Sequence, residues 1–110
     1  MKVPNADRAV VDIRKLTDYC LSHEHPRGKH KARVFRSVLG LTAVHAGELM
    51  AALLRSVRSA DCTVGAADEY GARYVVDFHY ARADRSAMIR STWIIKAGED
   101  TPRLTSCFVL

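Results

Sequence analysis

The second half of the chain holds three runs in which apolar and polar residues alternate: RYVVDFHY, SAMIRSTWIIK and RLTSCFVL. A period of two is the pattern of a β-strand that buries one face. In the first run Tyr74, Val76, Phe78 and Tyr80 fall on one side, and Val75, Asp77 and His79 on the other. The connections ARADRS and AGEDTP are short and turn-like, so successive strands are expected to pair antiparallel as a meander. CTV near residue 62 supplies a short fourth strand. Tyr70-Gly71, in DEYGARY, marks a hairpin bend that glycine permits.

The first half reads as helical. Asp12 is placed to cap a first helix with Ile13, Leu16, Tyr19 and Cys20 on one face. Pro26 and Gly28 punctuate the turn that follows. A second helix runs from about residue 29 to 39, with Val34, Phe35, Val38 and Leu39 as its expected buried stripe and Gly40 past its end. Thr42 caps a third, with Ala46, Met50, Leu53, Leu54 and Val57 inward and His45 outward, without a role. Helices followed by strands define an α+β fold: three N-terminal helices packed on one face of a four-stranded antiparallel β-meander, the other face free for a ligand.

Hydrophobic residues make up 48% of the chain and charged residues 26%, ordinary for a globular protein and against disorder. A chain of 110 residues opening on Met1 is expected to be one free-standing domain, residues 1–110. No apolar run approaches a membrane span, and the N-terminus has no apolar signal core. Three cysteines without C-x-x-C spacing argue against a disulfide framework and for a reducing cytoplasm. On its apolar helix face, Cys20 is not expected to be a nucleophile.

The net charge is +5 and the pI about 9.4, which fits a polyanionic partner such as RNA or DNA, or an acidic protein. The charge is concentrated. HEHPRGKHKARVFR, residues 23–36, holds five of the seventeen basic residues and three histidines against one acid, Glu24. A helix N-terminus already prefers anions nearby, so this crowding of cations implies either a solvated coat or an anion from outside. Lys31 lies three residues before Val34 and four before Phe35, at the margin of the buried stripe, where an ammonium must snorkel out or meet an anion. Arg33 and Arg36 fall outside, suited to nonspecific attraction of a nucleic-acid backbone.

His23, His25 and His30 have ligand-like spacing, but no neighbouring Cys or Asp completes a metal site, and neither a metal nor another cofactor is expected. Metal-free acid–base work suits histidine better, because imidazole is the side chain that ordinarily titrates near neutrality. Asp77, His79, Arg90, Thr92, Arg103, Thr105 and Ser106 are polar candidates on the strands. A sheet face of this kind can cradle a phosphodiester, with a cation for the phosphorane charge and a 2′-hydroxyl as nucleophile. Phosphate-loop, dinucleotide, zinc-protease and nucleophile-elbow motifs are absent.

KLTDYCLSHEHPRGKHKARVFRSVLGL, EYGARYVVDF and IRSTWIIKAGEDTPRLTSCFVL together resemble a family of small bacterial proteins of unknown function. Its members share the series K-L-x-x-Y-L-L, H-P-x-G-x-x-K-A, Y-G-x-x-Y, T-x-W and P-R-L-x-T. The second element falls on His25, Pro26, Gly28, Lys31 and Ala32, and the third on Tyr70, Gly71 and Tyr74. Ser91 and Ser106 stand where the family has threonine, and Cys20 where it has leucine. That family in turn resembles the barnase/EndoU/colicin/RelE-like (BECR) superfamily of metal-independent ribonucleases, many of them toxins with an antitoxin or immunity protein. The resemblance implies a cytoplasmic ribonuclease whose partners are RNA and a small cognate antitoxin or immunity protein, with no membrane. In that role His25 is the acid/base and Lys31 the phosphate or transition-state cation, with Ser91, Arg103 and Ser106 positioning substrate. His30, Arg33, Arg90 and Tyr70 are secondary substrate contacts. The rival expectation is a non-catalytic basic module that binds nucleic acid or an acidic protein.

Overall fold

The alternating runs form β2 (Gly71–Arg82), β3 (Arg85–Lys96) and β4 (Pro102–Val109), preceded by β1 (Thr63–Asp68). The structure, a computed structural model, describes residues 1–110. The four strands pair antiparallel in the order β1-β2-β3-β4, the meander that the short connections imply. β1 outruns CTV, and the β2–β3 ladder continues to Arg82 opposite Arg85, leaving only Ala83 and Asp84 in the bend. Gly71 has φ 146, and a Cβ there would overlap the Ile95 carbonyl, so glycine is required where the hairpin crosses β3. The fold is α+β, built on a four-stranded antiparallel sheet.

Register decides what faces inward. Tyr74 lies opposite Trp93, Val76 opposite Ser91, Phe78 opposite Ile89, and Ser91 opposite Cys107. Directly opposed residues share a face. Val76, Ile89, Ser91, Trp93 and Cys107 on this face are fully buried. The same core takes Leu16, Cys20 and Leu21, then Phe35 and Leu39, then Leu49, Leu53 and Val57 from the helical half. Trp93, fully buried, is a core residue and not a stacking platform.

The helical half departs from three comparable helices. Two are long, Gly28–Leu39 (the basic helix) and Ala43–Ser59, and they meet at 75°. The first is a short segment, Leu16–Cys20, wound loosely enough that the Leu21 N–H donates to the Leu16 carbonyl five residues back at 2.8 Å. Asp12 does cap its approach, with Oδ1 accepting the Arg14 N–H at 3.0 Å. Past the basic helix, Gly40 takes φ 68, the left-handed stop expected of it. His45 has a role after all: its Nδ1 accepts the Thr42 N–H at 3.0 Å and closes the start of the last helix.

The buried stripe of the basic helix is also rotated from the expected one. Val34 and Val38 are 40% and 36% exposed, whereas Gly28, Ala32, Phe35 and Leu39 are buried. Small residues lead this stripe because the helix start abuts another backbone. A Cβ on Gly28 would overlap the Tyr19 carbonyl.

One edge of the sheet is partly covered. Val10 bridges parallel to Arg103, donating to the Pro102 carbonyl at 2.9 Å and accepting from the Leu104 N–H at 3.0 Å. Beyond that bridge, β4 faces the Leu16–Cys20 segment and the basic helix. No single helix is long and apolar enough to cross a membrane.

Candidate functional site

The junction of Leu16–Cys20, the basic helix and the outer end of β4 gathers the chemistry-bearing side chains. His25 starts it. Its Nδ1 accepts the Arg27 N–H at 3.0 Å and the Gly28 N–H at 2.9 Å, capping the basic helix with an imidazole. The neutral ring then carries its proton on Nε2, and that N–H is the group left to offer a ligand. The ring stands edge-on to Tyr19, with centroids 4.7 Å apart. Gly28 lets the first turn of the helix close onto the Tyr19 backbone, and one turn on, Lys31 Nζ donates to Tyr19 Oη at 3.1 Å.

The Lys31 ammonium is half-buried and makes no ion pair with any carboxylate. It lies 5.1 Å from the Tyr19 ring centre and 5.9 Å from that of Phe108. Each ring face contributes about 0.5–1 kcal/mol to a partly exposed cation, and neither supplies a counter-charge. The bond to Tyr19 Oη is the one hydrogen bond this amine makes to the protein.

Beside it runs a groove of about 610 Å³ lined by Asp12, Arg14, Lys15, Asp18, Tyr19, His25, Arg27, Thr105 and Ser106. Asp12 is spoken for: Arg14 binds it with two contacts of 2.8 and 3.1 Å, and that hydrogen bonding holds its carboxyl down at about 2. Lys15 and Arg27 have no carboxylate partner, and Asp18 has no cationic one, its Oδ1 accepting the Thr17 hydroxyl at 3.0 Å. The groove is thus rich in hydrogen-bond donors and contains one unpaired carboxylate.

Behind the groove Cys20 and Cys107 are both fully buried. Cys107, followed by Ser106 and Lys31, draws the Cys20 thiol down to about 7 despite burial, while the Cys20 partner and burial push Cys107 up. Cys20 Sγ lies 3.9 Å from Ser106 Oγ. Cys20 has no surface of its own, and its contact with the groove lining is Ser106.

The structure brings together His25, Lys31 and Ser106, and places the other sequence candidates elsewhere. Ser91 is a correction: it has no exposed surface, donates to the Val76 carbonyl and accepts the Trp93 indole N–H, each at 2.9 Å, so it cannot touch substrate. Arg103 pairs with Glu99 at 3.3 Å in an adjoining recess that shares Asp12, Lys15 and Thr105 with the groove. Arg90 is clamped by Asp77 through two bonds of 2.8 and 2.9 Å on the far sheet face. Tyr70 stands 66% exposed at the β1–β2 bend and lines none of the surface recesses. Arg33 is exposed on the outer side of the basic helix, and His30 borders a recess beside Lys31.

Tyr19, Asp18 and Phe108 are the site residues that pattern reading passed over. Tyr19 had a signal, as the tyrosine of K-L-x-x-Y, but its helical spacing marked it as core. The others gave none. His, Cys, Asp and Glu side chains nowhere gather in threes in a way that holds a metal ion.

A small α+β protein with a donor-rich groove at a sheet edge is the class that these observations define. The chain belongs to the family described as Domain of unknown function (DUF6883), which matches residues 2–110. No curated protein and no solved structure matches it.

Proposed function

We propose that the groove binds RNA phosphodiesters and that the protein is a metal-independent ribonuclease, the toxin of a toxin–antitoxin or toxin–immunity pair acting in the cytoplasm. The observation that carries this reading is the Lys31 ammonium, half-buried, free of carboxylates and held by Tyr19 beside the groove. The helical half is read as a layer over the sheet face of Val76, Ile89 and Trp93, the arrangement of the BECR ribonucleases, and the shared core residues support it.

We divide the chemistry among the groups that line the groove and the Lys31 amine beside it. The 2′-oxygen attacks phosphorus, the bond to the 5′-oxygen breaks, and a 2′,3′-cyclic phosphate remains. Asp18, the unpaired carboxylate, takes the 2′-hydroxyl proton. Tyr19 Oη accepts from Lys31 and so keeps its own proton for the departing 5′-oxygen. Lys31, the Nε2–H of His25 and the Ser106 hydroxyl donate to the phosphorane oxygens. His25 is therefore a donor and not the proton-cycling acid/base that the sequence pointed to, because its Nδ1 is committed to the helix start.

The test is incubation of the purified protein with total RNA in excess EDTA. Cleavage is expected, and Lys31→Ala should lower its rate by about 10²–10³, the loss seen when one transition-state donor is removed. Undiminished cleavage by a folded Lys31→Ala variant would remove the assignment.

The engaged Nδ1 of His25 also favours a second reading, a basic module that binds RNA without cutting it. Binding of a labelled oligonucleotide by anisotropy, intact RNA after incubation, and normal host growth on expression would decide for the module.

A further inference from the structure

A recess of about 320 Å³ lies on the other side of Lys31, lined by His30, Lys31, Val34, Phe108 and Val109. Its character is opposite to that of the groove: three of its five side chains are apolar, one is an aromatic ring, and Val34 is 40% exposed. The Lys31 amine stands between the two, 3.1 Å from Tyr19 Oη on the groove side and 5.9 Å from the Phe108 ring centre on the other. A nucleotide has the same division, a charged phosphate joined through a sugar to a flat apolar-faced base.

We infer that this recess is a nucleobase subsite: a base stacks on Phe108 between Val34 and His30 while its phosphate meets Lys31 at the side of the groove. Stacking on an aromatic side chain accepts any base, because every base has a π-face. Val34, exposed on the basic helix, then has a use that core packing does not give it. The inference rests on the reading of the Lys31 groove as a phosphate site and goes beyond it by naming what lies next to the phosphate.

The experiment compares two probes that cannot be cleaved, a 2′-deoxyribonucleoside 5′-monophosphate and 2-deoxyribose 5-phosphate, by calorimetry and by NMR shifts of the Phe108 ring and Val34 methyls. The nucleotide is expected to bind about 5- to 150-fold more tightly, the range for one stacked base, with both sets of signals moving. Phe108→Leu should erase the difference and leave sugar-phosphate binding unchanged. Val34→Ser, an uncharged change at an exposed position that tolerates a polar side chain, should do the same and guards against a misfolded Phe108 variant. Equal binding of the two probes by the unaltered protein overturns the subsite and leaves the phosphate reading standing. Preferential nucleotide binding with intact RNA after incubation overturns the ribonuclease and supports the subsite. If neither probe binds, both are overturned.

Discussion

Ser91 and Ser106 both stand where the resembling family has threonine, yet their surroundings give them different work. Ser91 bridges the Val76 carbonyl and the Trp93 indole inside the core. Removing its oxygen leaves a buried indole N–H without an acceptor, which costs about 1–3 kcal/mol. Ser91→Ala should therefore lower the urea midpoint markedly and leave nucleotide binding at the groove unchanged. Ser106, half-buried and lining the groove, should behave the opposite way. Ser106→Ala is expected to shift stability by less than about 0.5 kcal/mol, as surface changes do, while weakening RNA cleavage. If instead Ser91→Ala selectively abolished cleavage in a fully stable protein, the core assignment would fail. Both hydroxyls alternate correctly on their strands, and nothing in the sequence distinguishes them. The difference lies in the register: Ser91 sits opposite Val76 and Cys107 on the buried face, whereas Ser106 pairs with Thr92 on the other, beside an irregularity in the β3–β4 ladder that alternation alone does not reveal.

At the level of elements, the basic helix is positioned by a single close approach. Gly28 lies against the Tyr19 carbonyl with no room for a Cβ. Gly28→Ala should push the helix start outward, break the His25 cap and separate Lys31 from Tyr19. A lower melting temperature with loss of RNA binding is expected, and a variant that kept both would refute the role given to this contact. A second tie joins the last helix to β2, where Glu48 accepts from Tyr80 Oη and from Arg82 Nε, each at 2.9 Å. Tyr80 first, and then Arg82, hold the Glu48 carboxyl below its ordinary 4.5. A folded-state value below the unfolded one contributes stability above 4.5 and loses it as pH falls through the lowered value. Denaturant midpoints should accordingly drop on acidification below pH 4.5, and Glu48→Gln should flatten that part of the profile. The strands were readable because alternation and short turns leave one pairing scheme. The stripe of the basic helix was misread because Val34 and Val38 are hydrophobic enough to signify core, while the residues that truly face inward include Gly28 and Ala32. Small size reveals its purpose only once the neighbouring backbone is in view.

Across the whole molecule, the charge of +5 invites nonspecific attraction to any polyanion, and the groove has to be separated from that background. Salt provides the means. Each phosphate contact on a single strand contributes a slope of about −0.7 to log K against log salt concentration. A 5′-phosphorylated trinucleotide, with three phosphates, spans little more than the groove, where Lys15 and Arg27, with Lys31 beside them, are the cations without carboxylate partners. Its slope should lie near −2, the sum of roughly three such contacts. Lys31→Ala should reduce it by about 0.7, because one counterion release is lost. Arg33→Gln and Arg36→Gln, on the exposed outer face of the basic helix, should leave the trinucleotide slope alone and lower only that of a strand long enough to reach them. Fluorescence anisotropy from 50 to 300 mM salt measures both. Equal sensitivity of the short ligand to Arg33, Arg36 and Lys31 would mean that phosphate is drawn to a diffuse basic face. Sensitivity confined to Lys31 places it where the amine, the tyrosine and the groove meet.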